Sequence, residues 1–281
     1  MSEPAPVPAA LPAGVAVAPP PAGLPRLLGG FGLDLVVAMV VVLAGTFAAM
    51  IGWGVWKGLA LVRELGPDAP ASAFTEALGE PGALAQMLAA ILGMSAAAAL
   101  LYFWRRPADA AQRRQSLQAA RRGRTWAWTV GAGVLVFAGS TLSSWLISLG
   151  GHDPVPSNLA LIDEASRNWP VFLVLFAVLL APAYEELLFR RVLFGRFLDA
   201  GRPWLGLVLS SLAFALMHEV PGLSANPPLA VLQLLAVYAG MGAVFAWLYW
   251  RTGTLWAPVA AHAINNGLAL LVYSLGVTPG A

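Results

Sequence analysis

Cysteine is absent from the 281 residues, which excludes disulfides, thiolate metal sites and cysteine nucleophiles. Charge is scarce as well. Asp, Glu, Lys and Arg make up 11% of the chain, against roughly 25% in an ordinary soluble domain. With 59% hydrophobic residues and a mean hydropathy of +0.73, this scarcity points to a multi-pass membrane protein, whose first partner is the lipid bilayer. The net charge of +2 hides strong clustering, and the clusters read as loop-orientation signals rather than a nucleic-acid surface. No nucleic-acid partner is expected. With three histidines present, any chemistry falls to His, Glu, Asp, Asn or Ser.

Three regions follow from composition. Residues 1–30, "MSEPAPVPAALPAGVAVAPPPAGLPRLLGG", alternate Pro, Ala and Gly and lack the basic start and unbroken apolar core of a cleaved signal peptide. They read as a disordered tail. Residues 31–160 hold charge-free runs at Leu35 to Trp56, Gly82 to Trp104 and Trp126 to Leu149, each long enough to cross about 30 Å of hydrocarbon at about 1.5 Å per residue. Residues 161–281 hold four more. One begins near Trp169 and runs into Tyr184, one starts at Pro203, one covers Leu229 to Trp250 and one Leu255 to Leu275. The expected fold is an all-α, polytopic transmembrane helical bundle of about seven spans.

The loop between the second and third spans carries Arg105, Arg106, Arg113, Arg114, Arg121, Arg122 and Arg124, whereas the first loop holds Glu64, Asp68, Glu76 and Glu80. By the positive-inside rule the arginine loop is cytoplasmic. Alternation then puts the amino terminus inside and the loop with Asp153 and Asp163 outside. Arg190, Arg191, Arg196, Arg202 and Arg251 fall on the inner side. Trp104, Trp126, Trp169, Trp204, Trp250 and Trp256 fall at span ends, as an interfacial belt requires.

The last four spans carry the unusual polar residues. His152 sits in a loop, but His218 and His262 lie in or at the end of apolar segments. In "HAINNG", His262 and Asn266 are one helical turn apart and share a face, while Asn265 points elsewhere. In "APAYEELLFRR", Glu186 and Arg190 form an i, i+4 pair with the acid on the favoured amino-terminal side. Adjacent helical residues diverge by about 100°, so Glu185 is left to face something else. A buried carboxylate opposite imidazoles suggests a water-activating site, with His and Asn donors on a facing helix available to an oxyanion. The competing reading is that these groups only pair across helices and hold the bundle together.

Depth poses a difficulty. Straight vertical helices would put His218 about 24 Å from Arg202, His262 about 16 Å from Arg251 and Glu185 only about 8 Å from Arg190, so tilt or a kink at Pro182 or Pro258 is required. Pro182 also frees a backbone carbonyl one turn earlier. "AGMGA" around Gly240 and Gly242 reads as a close helix crossing. Glu219 is expected to reach the outer interface, or else to orient His218.

Three motifs in order carry a resemblance. The pattern EExxxR (Glu185, Glu186, Arg190), then FxxxH (Phe214, His218), then HxxxN (His262, Asn266) resembles the signature of the CPBP family, the CAAX proteases and bacteriocin-processing enzymes also called Abi. It covers roughly residues 165 to 275, with no counterpart for the tail or the first span. The resemblance implies an intramembrane endopeptidase core in residues 161–281. Glu185 would be the general base and His218 would help to hold the attacking water. His262 and Asn266 would stabilise the oxyanion, Glu186 and Arg190 would shape the site, and Phe214 would pack. It implies a protein or peptide substrate near a membrane, in a bacterial cytoplasmic membrane by the Ala, Pro and Gly richness. No cofactor is expected, since oxyanion donation explains the Asn. The alternative is Zn2+ on Glu185, His218 and His262, although HExxH is absent. A catalytically silent adaptor or immunity protein of the same family, or a proton-coupled transporter, are the other functional readings.

Overall fold

The computed structural model describes residues 23–66, 68–151 and 154–276. Most of the sequence-read tail, His152 and Asp153 lie outside the described residues. Each of the seven apolar segments is helical, and the described residues contain no strand. The helices are α1 (Leu24–Leu65), α2 (Ala71–Leu78), α3 (Ala83–Arg105), α4 (Ala110–Ala120), α5 (Gly123–Ser148) and α6 (Leu159–Asn168). They continue as α7 (Pro170–Asp199), α8 (Pro203–His218), α9 (Pro228–Thr252) and α10 (Trp256–Ser274). α1, α3, α5, α7 and α9 are long and apolar enough to cross a membrane, and α8 is a shorter apolar helix. The protein is an integral multi-pass membrane protein. Its outward faces are apolar, with Val40, Leu43, Phe47, Phe103, Leu135 and Leu232 all exposed, which is what lipid solvates without cost.

Two boundaries differ from expectation. The first helix begins at Leu24, inside the stretch read as tail, and its 42 residues reach about 63 Å, well past both membrane faces. Arg26, Lys57, Arg63 and Glu64 are compatible with helix outside hydrocarbon, so charge marks the end of the apolar run without ending the helix. The fourth span likewise continues through Asp199. Arg190, assigned to the inner side with the loop arginines, is fully buried within it.

Small residues set the closest crossings. A Cβ at Gly45 would stand 2.7 Å from Gly93 Cα, which brings α1 and α3 into backbone contact, and one at Gly133 would stand 2.8 Å from the Ala261 carbonyl. Gly242 does the same between α9 and α8, where a Cβ would meet Ser211 Cα at 2.9 Å; Gly240 faces open space. Half of the small-residue reading therefore holds, because only one of the two glycines lies on the side of α9 that meets α8.

Polar contacts gather the loops at two ends. At one, Ser116 on α4 bonds Thr254 at 2.9 Å, Arg191 donates to Gln112 at 2.8 Å, Arg106 pairs with Asp199, and buried Asp34 on α1 receives Arg105 and Arg196. At the other, Ser157 donates to Glu219 at 2.5 Å, Asn226 clasps both backbone groups of Val155, and Tyr273 donates to Asp163. The arginine loop and Arg251 thus share one end and the acidic loop the other, the grouping that charge alone assigned.

Candidate active site

α7 is the helix around which the site is built, and it is irregular. π-helical segments Leu175–Leu180 and Leu187–Phe194 bracket a short α-helical segment, Ala181–Glu186, which carries both glutamates. Wide turns of this kind recur at functional sites because they re-aim side chains. Pro182 lies between them, and the three motif-bearing helices bring Glu185, Glu186, His218 and His262 together. Pro258 contributes no kink, since it lies in the first turn of α10, where a backbone N–H has no intrahelical partner.

The two glutamates diverge as the helical period requires. Glu186 is fully buried, with Oε2 2.7 Å from Arg190 Nε and Oε1 3.0 Å from His262 Nδ1. Since a carboxylate only accepts, Nδ1 carries the proton in that bond. The Arg190 guanidinium, equally buried, lies 4.9 Å from the Phe214 ring centre and 5.8 Å from those of Phe189 and Phe245. Glu185 turns the other way. Its Oε2 stands 3.6 Å from His218 Nε2 and 4.0 Å from His262 Nε2, and it has no hydrogen-bond partner among the described residues. Glu185 and His218 keep 13% and 23% of their side-chain surface, so the open edge of the cluster lies there.

Both histidines are held by their second nitrogen. His218 Nδ1 donates to the Phe214 carbonyl at 2.9 Å one turn back, which leaves Nε2 as the free atom. Its ring stacks on Tyr238 at 4.7 Å and lies tilted against Phe214 at 4.3 Å, and Phe245 stacks on His262 at 5.0 Å. Phe214, expected only to pack, touches Arg190 and both histidines. Tyr238 escapes sequence reasoning, because nothing in an apolar run distinguishes one aromatic from another.

Asn266 behaves differently from expectation. Its Nδ2 donates to the Ala177 carbonyl at 2.8 Å, and its Oδ1 accepts from Asn265 at 2.9 Å. Glu185, Glu186, Arg190, His218 and His262 are thus one connected cluster, and Asn266 braces the helix that bears the glutamates. Glu219 is also corrected. It is fully buried rather than exposed, holding Ser157 of the outer loop and leaving Oε1 without a described partner.

Zinc fits this arrangement poorly. Metal bonds of about 2.0–2.1 Å at tetrahedral angles would set the three donor atoms about 3.3–3.4 Å apart, closer than the 3.6 and 4.0 Å seen from Glu185. No grouping of His, Cys, Asp and Glu among the described residues is arranged to hold a metal ion.

Residues 167–268 match the family model described as "Type II CAAX prenyl endopeptidase Rce1-like". Over 115 residues the chain is 28% identical to the "Putative membrane peptidase YdiL" of Bacillus subtilis (strain 168), covering 41% of this chain and 42% of that one. Over 128 residues it is 31% identical to the "Membrane-embedded CAAX protease MroQ" of Staphylococcus aureus (strain USA300), covering 43% and 47%. The similarity therefore spans less than half the length of each relative. No solved structure matches the chain. The matched segment contains both glutamates, Arg190, both histidines and Asn266, so the whole candidate site lies within the part of the chain that is similar to the Rce1-like CAAX prenyl endopeptidase model.

Proposed function

We propose that the protein is an intramembrane endopeptidase that hydrolyses peptide bonds of membrane-associated proteins or peptides by means of a water activated by Glu185. The observation that carries this reading is the division of labour between adjacent acids. Glu186 is sealed, ion-paired with Arg190 at 2.7 Å and hydrogen-bonded by His262 at 3.0 Å, whereas Glu185 is part-exposed, has no ion pair with an arginine among the described residues and is aimed at two imidazole nitrogens. Glu185 and His218 Nε2 would hold the water. As its oxygen attacks the scissile carbonyl carbon, Glu185 takes one water proton and the carbonyl oxygen becomes an oxyanion. To donate to that oxyanion from Nε2, His262 must be protonated on both nitrogens, the other proton resting on Glu186. Two carboxylates, one guanidinium and that imidazolium sum to zero charge, the balance a dry cavity favours. Collapse then breaks the C–N bond, and Glu185 returns its proton to the leaving amine.

The test is Glu185→Gln, which keeps shape and hydrogen bonding but cannot accept a proton. Comparative membrane proteomics of cells carrying wild type or this variant should reveal cleavage products present only with wild type. A purified Gln variant that still cleaves such a substrate at the wild-type rate removes the general base and refutes the proposal.

A further inference from the structure

In the first π segment of α7, the Ala181 N–H bonds the Phe176 carbonyl five residues back. The next donor in that register would be residue 182, reaching Ala177. Residue 182 is proline and has no N–H, so the Ala177 carbonyl is left without its backbone donor inside an apolar helix bundle. Water does not relieve such a group within a membrane. Asn266 Nδ2 occupies that position at 2.8 Å, and Asn265 holds the amide the right way round by donating to its oxygen.

We infer that Asn266 is a positioning residue whose amide replaces the backbone donor that Pro182 withholds from Ala177, and so holds the π register that aims Glu185 at the histidines. Register matters because each residue inserted into or removed from a helix rotates everything beyond it by about 100°. That is the angle between Glu185 and Glu186. A relaxed turn would therefore carry the free carboxylate away from His218 and His262, and the bond from α10 to Ala177 opposes this. This role differs from direct donation to an oxyanion. Its activity arm rests on the peptidase reading; its stability arm does not.

The experiment is a double-mutant cycle on the full chain: wild type, Pro182→Ala, Asn266→Leu and both together, each unfolded reversibly in mild detergent. With Pro182 in place, Asn266→Leu should raise the unfolding equilibrium constant roughly tenfold or more, because a carbonyl is orphaned. In the Pro182→Ala background, where position 182 supplies an N–H, the same change should cost about threefold or less. Equal effects in the two backgrounds overturn the inference. If Asn266→Leu does not accumulate, its recovery by Pro182→Ala in the same host reads the same coupling, and failure to recover counts against it. Turnover of a substrate cleaved by wild type supplies the second readout. Return of kcat in the double variant supports positioning. A double variant with stability restored and kcat still lost assigns Asn266 to the reacting oxygen and overturns it. A wild type that cleaves nothing refutes the peptidase reading and leaves the stability cycle standing.

Discussion

Glu186 is the residue whose loss has the clearest energetic consequence. Its carboxylate and the Arg190 guanidinium are both fully buried and 2.7 Å apart, with His262 Nδ1 at 3.0 Å on the other oxygen. Glu186→Gln keeps the shape and one acceptor but deletes the negative charge, which leaves a buried guanidinium opposite a neutral amide. Removing one partner of such a pair costs about 3–5 kcal/mol. The contacts of the guanidinium with Phe214, Phe189 and Phe245, at 4.9 to 5.8 Å, are common to wild type and variant and leave this difference unchanged. The expected loss is at least about 3 kcal/mol, or roughly 150-fold in the unfolding equilibrium constant. Because an apolar replacement of both partners is often neutral, Glu186→Gln with Arg190→Met should recover most of the loss. Reversible unfolding of purified protein in mixed micelles measures both. A single variant within about 1 kcal/mol of wild type, or a double variant no more stable than the single, would refute this account of the pair.

Three further outcomes are expected. Gly242→Leu should cost about 1–3 kcal/mol by overpacking, since its Cβ would meet the Ser211 backbone at 2.9 Å; Gly240→Ala, facing open space, should be tolerated, and equal thermal shifts for the two would contradict the crossing. The chain has no native cysteine, so Gln115→Cys and Ser274→Cys should label cleanly from opposite sides of the membrane; labelling of both from one side would overturn the topology. A strong chelator should leave cleavage unchanged, and activity lost to chelation and regained with added zinc would show that the donor separations tighten around a metal.

The parts of the site legible in the sequence are those governed by helical periodicity and charge. Glu186 with Arg190 can be read from an i, i+4 spacing, and the divergence of Glu185 from the 100° step, because both glutamates lie in a regular α-helical segment of α7. Loop grouping can be read from arginine counts because charge stays out of hydrocarbon. Asn266 cannot be placed this way. Its spacing from His262 predicts a shared face, yet the partner that takes its amide is a backbone carbonyl on another helix, and backbone carbonyls carry no residue-specific signal. Asp34 and Glu219 escape for a related reason. Each stands at the edge of an apolar run, where sequence suggests the interface, and each is buried by partners distant in the chain: Arg105 and Arg196 for one, Ser157 for the other.

Pro182 joins the legible and illegible parts. A missing N–H can be read from any proline, but which carbonyl it orphans depends on whether the local turn closes at four residues or at five. A four-residue register would direct the loss to Val178; the five-residue register observed before Ala181 directs it to Ala177, where Asn266 waits. The register is set in turn by contacts made elsewhere, including the side chains of α10 packed on that segment. Sequence thus specifies a proline, an asparagine and two glutamates, while tertiary packing decides which carbonyl the asparagine meets and, through it, how the free carboxylate of Glu185 is aimed.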